Sequence, residues 1–402
     1  YALGWNNCDS NRCFHGCEEL NMYIAIYHPW LHTKGGAEKV VLNIAEALSR
    51  NNKVKILTGY YDKNRTYDGF KNYAVELIQP SLKVDNFLSR ALSSLSHFMF
   101  GKVKNIKSYD LLIVSTGGIS ELITLHNYIN PTIAYCHTPL RVAHQFYDYY
   151  ISKSNLSKKI ALWLSVKIYK ILEKKSWKKM DYCICNSKNT RNNIIKYDLA
   201  NEEKLMVIYP GVDLKRFKPK KNSKNYLLVT GRFKNYKNFE LAIKSFKKLR
   251  IKYPNFKLII AGSKDDKEYF KKIKKLSDKV GNINLRTNVS ENELIKLYQN
   301  CFAYLFTAIN EDFGITPIEA MACGKPVIAI DEGGVKETVE NNKTGFLVES
   351  NADCMSNAIL KLLKNKKLYK KMSRNAIKQA QKFSWKSFQK SIYKKVKDVA
   401  KN

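Results

Sequence analysis

CFAYLFTAINEDFGITPIEAMACGKPVIAI (residues 301–330) holds two apolar runs, CFAYLFT (301–307) and PVIAI (326–330), around a helical pattern. Thr316 suits the N-cap and Pro317 the first helical position, where a missing N–H is no loss. Gly324 suits the turn past the helix end, and Pro326 bars its continuation. Strand, helix and strand in that order make a βαβ unit, and a succession of such units gives a parallel sheet covered on both faces.

The alternation extends in both directions. YLLVTGR (226–232), FKLIIAGS (256–263) and INLRTNV (283–289) precede this stretch and GFLV (345–348) follows it. Further upstream come MYIAIY (22–27), KVKILTG (53–59), YAVELI (73–78), DLLIVST (110–116), TIAYCH (132–137), DYCICNS (181–187) and KLMVIYPG (204–211). Between the two series, DLKRFKPKKNSKN (213–225) has charge, Pro and Asn without apolar period and reads as a linker. The length of 402 residues suits two domains. The fold class expected is α/β, with two Rossmann-like doubly wound domains, 22–212 and 226–383, facing a central cleft. Residues 384–402 read as a basic amphipathic helix, and residues 1–21 as an extension preceding the first strand.

Within the central stretch, Glu319 has two readings. At the third helical position it completes a capping box with Thr316, which requires no ligand. Alternatively it shares a cleft with Glu311, eight residues earlier and across a tight turn, where Gly314 permits close backbone approach. The free N–H groups of the helix start then form an anion site beside both carboxylates.

GRFKNYKN (231–238) follows a strand and opens a helix, so Arg232 and Lys237 bracket a loop at the same cleft. Two fixed cations there would stabilise a diphosphate that gains charge as it leaves. Lysine is common in this chain, which makes Arg232 the more telling of the two. GGAEKVVLNIAEAL (35–48) places Gly35 and Gly36 at a helix start: a plain tight turn, or a close-approach loop for phosphate or sugar. The dinucleotide fingerprint G-x-G-x-x-G is absent there. In YCHTPLR (135–141), His137 ends a buried strand, as a structural residue or as one that orients a hydroxyl, and Arg141 begins the next helical stretch. GGVKETVENNKTGFLV (333–348) repeats the glycine pair before a helix and offers further N–H donors.

Seventy basic residues against 35 acidic ones give a net charge of +35, which draws the chain to anionic surfaces. Arginine supplies only 11 of the 70, against the habit of proteins that read phosphate and guanine through the guanidinium fork, so nucleic acid is not the expected partner. Lysines framing Trp163 and Trp177 in SNLSKKIALWLSVKIYKILEKKSWKKM (154–180) suit either an ordinary domain helix or one lying on anionic lipid. FLSRALSSLSHFMFGKVKNIK (87–107) is a second stretch of that kind. Nine cysteines, six of them in apolar runs, fit a reducing, cytoplasmic compartment. Cys8, Cys13 and Cys17, with His15 among them, match no standard zinc spacing.

Together GGAEK, GRFKNYKN and the E-x7-E of EDFGITPIE resemble the retaining GT-B glycosyltransferases of family four, also called group 1, from about Met22 to the C-terminus. The resemblance implies a nucleotide-sugar donor bound by Gly35, Gly36, Arg232, Lys237, Glu311, Phe313, Gly314, Ile315 and Glu319. Glu319 would take the ribose and Glu311 the donor sugar. Arg232 and Lys237 would take the diphosphate, and His137 would lie near the sugar. His137, Arg232, Lys237 and Glu311 form the implied catalytic set. The family's C-terminal helix crosses back to the first domain, which implies the same for 384–402. HPWLHTKGGAEKVV with YCHTPLR looks most like mannosyltransferases that extend lipid-linked oligosaccharides, which favours GDP-mannose and a lipid-linked or other glycan acceptor.

The chain has no D-x-D, so no metal and no cofactor is expected, and the charge on the leaving group falls to Arg232, Lys237 and helix N-termini. The expected location is cytoplasmic, peripheral on the inner face of a membrane. Two alternatives stand beside this: a nucleotide-sugar epimerase or phosphorylase on the same fold, and a non-catalytic basic protein that binds nucleic acid or membrane.

Overall fold

The computed structural model describes residues 21–84, 87–220 and 223–400. The expected extension, with Cys8, Cys13, Cys17 and His15, falls outside the described residues apart from Asn21.

The first sheet holds β1 (Tyr23–Tyr27), β2 (Lys53–Thr58), β3 (Ala74–Leu77), β4 (Leu111–Gly117), β5 (Thr132–Thr138), β6 (Tyr182–Cys185) and β7 (Leu205–Val207). Its order is β3-β2-β1-β4-β5-β6-β7, with parallel pairing throughout. The second holds β8 (Tyr226–Thr230), β9 (Lys257–Gly262), β10 (Ile283–Thr287), β11 (Ala303–Phe306), β12 (Val327–Ile330) and β13 (Gly345–Val348). Its order is β10-β9-β8-β11-β12-β13, again parallel. Central strands such as β1, β8 and β12 are apolar and buried along most of their length because helices cover both faces. In each sheet the strand order reverses beside its first strand, and the crevice for a ligand opens there at the carboxyl ends.

The chain crosses between domains twice at adjoining points. The Val212 N–H donates to the Phe383 carbonyl at 2.9 Å, and a Cβ on Gly211 would lie 2.3 Å from the backbone nitrogen of Trp385. Only glycine lets the two crossings touch. The last helix, Trp385–Ala400, then lies on helix α1 (Gly36–Leu48) and places Phe388, Ile392, Val396 and Val399 in the core of the first domain with Val41 and Ile56.

Helix α2 (Phe87–Phe100) and helix α3 (Leu156–Trp177) both pack on the turn Ser120–Leu125. One face of α3 is core: Val166, Tyr169, Glu173, Ser176 and Trp177 are buried. Trp177 therefore supports the fold and is not the surface tryptophan that its flanking lysines suggest, because it falls on the inward side of the helix. The outer face is also apolar, with Leu156, Ile160, Trp163, Leu164, Ile168 and Ile171 exposed. Leu92, Leu95, Met99 and Phe100 of α2 are exposed too. No helix among the described residues is long and apolar enough to cross a membrane.

Phe388 is 2% exposed in the first-domain core although it belongs to the last helix. Phe388→Ala is expected to cost about 3–5 kcal/mol of unfolding free energy in denaturant titration. A cost within about 1 kcal/mol, the level of a surface change, would mean that the crossing helix is not part of that core.

Candidate active site

The turn after β11 is built by backbone geometry. Asn310 (φ 46°) and Gly314 (φ 83°) both take the left-handed conformation, and helix α4 (Ile315–Ala322) starts directly after Gly314. A Cβ on Gly314 would lie 3.1 Å from the Phe306 ring. Thr316 is therefore not the N-cap, and no side chain caps the helix start. Its hydroxyl instead accepts a 2.8 Å hydrogen bond from Tyr304, whose own hydroxyl lies 2.8 Å from Thr230. The capping box read from the sequence does not form, because the strand beneath claims the threonine. The Tyr298 hydroxyl favours the ionised form of Glu319, but burial outweighs it and raises the carboxyl to about 7.

Glu311 stands at the centre of the charged groups. Lys237 Nζ donates to its Oε2 at 2.5 Å, and Arg141 Nη2 to its Oε1 at 3.4 Å. Burial alone would raise the carboxyl, but Lys237, Arg141 and Arg232 together hold it at about 2, so it stays ionised. Lys237 ends a single turn, Asn235–Lys237, at the head of helix α5 (Phe239–Lys252); its stem passes so close to Gly231 that a Cβ there would lie 3.2 Å from it. Arg232 is half exposed, donates to the Tyr236 hydroxyl at 3.1 Å and lies 3.7 Å from Asp265.

The first domain supplies the opposite wall. A Cβ on Gly36 would lie 3.5 Å from Ile315 Cδ1, so the glycine loop faces the E-x7-E turn directly. Gly35 precedes it in extended backbone. His137 Nε2 and His28 Nδ1 each lie 2.9 Å from the Ser115 hydroxyl. Burial lowers His137 to about 4 and His28 to about 3, so both rings are neutral near pH 7 and the single serine proton links their tautomers. The structure thus draws Arg232, Lys237 and Glu311 into one charged group, sets Gly36 against Ile315 and Phe313 against Tyr209, and ties His137 to Ser115 and His28.

Several residues at the site carried no role in the sequence reading. Arg141 reaches across the cleft: Nη2 and Nε donate to Asp312 Oδ2 at 2.6 and 3.2 Å. It meets the criterion that favoured Arg232, a scarce arginine shortly after a strand. Glu337 accepts at 2.8 Å from the N–H groups of both Lys188 and Asn189, which open helix α6 (Lys188–Lys196) of the first domain, and at 2.9 Å from the Tyr209 hydroxyl. Gly333 and Gly334 serve differently from the reading above: the Gly334 N–H donates to the Glu311 carbonyl at 2.8 Å, and a Cβ there would lie 2.0 Å from the Asp312 carbonyl. The pair supports the Glu311–Asp312 backbone and offers that N–H to no ligand. Among the described residues no group of three His, Cys, Asp or Glu side chains is arranged to hold a metal ion.

Glycosyltransferase Family 4 matches residues 34–216 and Glycosyl transferases group 1 matches residues 212–379, so the two descriptions meet at the domain crossing. The chain is 27% identical to the alpha-1,3/1,6-mannosyltransferase ALG2 of Mus musculus, across 94% of this chain and 98% of that protein. It is 29% identical to the protein of the same name from Saccharomyces cerevisiae, across 80% and 72%. In fold it matches sucrose-phosphate synthase from Thermosynechococcus elongatus with a TM-score of 0.75, at 19% identity and 94% and 99% coverage.

The folded value of about 7 for Glu319 lies above the ordinary 4.5, so its contribution to stability is complete below 4.5 and is lost as pH rises through about 7. Glu319→Gln, which cannot ionise, should gain on the wild type between those pH values and hold the gain above them. Melting temperatures of both proteins from pH 4 to 9 test this, and a constant difference would contradict the assignment.

Proposed function

We infer, for a chain that belongs to the family 4 (group 1) glycosyltransferases and is an enzyme of that class with the GT-B fold, that it moves mannose from GDP-mannose onto a lipid-linked glycan at a membrane surface. The observation that carries the reading is the ionised Glu311 held by Lys237, with Arg232 beside it, at the carboxyl end of the second sheet and opposite Gly36. The mannose rests on the relatives named above, and the lipid-linked acceptor on the likeness carried by HPWLHTKGGAEKVV and YCHTPLR.

In this reading the donor diphosphate lies between Arg232 and Lys237. As the glycosidic bond breaks, charge gathers on the diphosphate, and the two cations stabilise that charge more than they stabilise the intact donor. Glu311, ionised throughout, accepts hydrogen bonds from hydroxyls of the donor sugar, and Glu319 accepts from the ribose. His137, neutral and fixed through Ser115, lines the sugar side. The departing phosphate oxygen takes the acceptor's proton on the face it leaves, which retains the configuration. No metal enters these steps. Closure of the domains aligns the two substrates and keeps out water, which would otherwise hydrolyse the donor.

The acceptor side faces lipid through the outer surface of α3. Its exposed Leu156, Ile160, Trp163, Leu164, Ile168 and Ile171 form an apolar face, and Lys167 lies 5.0 Å over the Trp163 ring. An apolar face among lysines suits the headgroup boundary of an anionic bilayer, where each lysine near the surface adds about 1 kcal/mol.

Two experiments test the reading. Purified protein should be stabilised against heat by GDP-mannose more than by UDP-glucose or ADP-glucose, and Arg232→Ala should lower transfer by about 100-fold or more. The half-exposed arginine should leave the unfolding free energy within about 0.5 kcal/mol of wild type. Nucleotide released without acceptor, or equal loss of activity and stability, would favour the epimerase or a purely structural arginine. Separately, the protein should sediment with phosphatidylglycerol vesicles and not with phosphatidylcholine vesicles, and Trp163→Glu with Leu164→Glu should abolish this. Retention of the doubly substituted protein on the anionic vesicles would remove α3 as the contact.

A further inference from the structure

Arg141 belongs to the first domain and Asp312 to the second, 171 residues apart in sequence. Asp312 is 2% exposed, its Oδ2 is held twice by Arg141, and its Oδ1 is buried without a hydrogen-bond partner. The guanidinium lies over two rings, Tyr236 of the second domain at 5.1 Å and Phe146 of the first at 5.9 Å, and these rings stack on each other at 6.1 Å. The same Nη2 that grips Asp312 also reaches Glu311. Ser187 of the first domain donates to the Asp312 carbonyl at 2.6 Å, so backbone and side chain of one residue are both held from across the cleft.

These contacts separate Arg141 from the two other cations. Its charge is taken up by the two carboxylates it touches, Asp312 and Glu311, so it is not left free for a diphosphate. It adds geometry instead, because a planar fork with two nitrogens on one carboxylate oxygen and a third contact to the neighbouring carboxylate fixes where Glu311 points. Were the domains to part, Arg141 would be withdrawn and Glu311 would keep only its own domain's cations.

We propose that Arg141, locked by Asp312, is a positioning residue for transfer: on domain closure it orients Glu311 for its contact with the donor sugar in the transition state, while ground-state affinity for the donor is set by the diphosphate and ribose contacts of Arg232, Lys237 and Glu319. This rests on the glycosyltransfer reading above. It makes Asp312 as necessary to turnover as Arg141, although Asp312 has no partner in the chemistry.

The full-length protein is compared as wild type, Arg141→Met, Asp312→Asn and the double variant. GDP-mannose affinity is read from thermal shift without acceptor, and kcat and KM from transfer to a lipid-linked acceptor. Each single change should lower kcat by about 100-fold, the scale of an ångström's misplacement, with donor affinity within about threefold of wild type. The double variant should be no slower than the worse single one, because the two residues act as a unit. Small-angle X-ray scattering without ligand should show all three variants more open than the wild type. Donor affinity falling in step with kcat would make Arg141 a donor ligand and overturn the proposal. So would an Asp312→Asn protein of normal kcat, or a double variant whose loss is the product of the single losses. If the wild type binds no nucleotide sugar, the functional reading fails by itself, and unchanged scattering in the variants then rejects the bridge independently.

Discussion

An ionised carboxylate in a cleft between two domains has to be paired, and the pairing of Glu311 organises what surrounds it. Taken from water without partners, such a group would either protonate or force the cleft open. Lys237 and Arg141 prevent both, and they come from different directions: one from the turn after β8 in the same domain, the other from the end of β5 in the opposite one. The electrostatics of one side chain thereby tie together the site, the loop that carries it and the relative placement of the domains.

The backbone makes that pairing possible through close approach. Gly36 admits Ile315 from across the cleft, Gly314 turns the chain from strand to helix in a conformation open chiefly to glycine, and Gly334 lets a neighbouring loop support the Glu311–Asp312 segment from below. Gly211 serves the same end further away, where the two crossings of the chain touch. At Gly211 and Gly334 a methyl group would occupy space that another stretch of backbone already fills, whereas at Gly36 it would only touch Ile315. Glu337 adds a complementary device, a carboxylate on two free N–H groups where a first-domain helix begins, so that a helix N-terminus becomes a point of contact between domains.

Away from the cleft, α3 has apolar residues on both sides. Its inner side completes the core with Tyr169 and Trp177, and its outer side is exposed, as are four apolar residues of α2, which packs on the same turn. An apolar outer face is unusual in a helix that meets only water, and here it lies on the domain that would take the acceptor.

The sequence by itself determined the strands and their order of appearance. Alternating apolar runs and helical patterns are local signals, and burial on both faces writes a parallel strand as a continuous apolar stretch. It also marked Glu311, Arg232 and Lys237, the three charges that the fold brings together, because E-x7-E and GRFKNYK each follow the end of a strand. Tertiary structure alone decided the partners. Nothing near Arg141 points to an aspartate 171 residues later, and nothing near Thr316 shows that Tyr304 would take its hydroxyl and leave Glu319 to Tyr298. Periodicity and capping rules see only a few residues to either side, whereas a buried charge or hydroxyl is satisfied by whichever group the packed fold brings within about 3 Å.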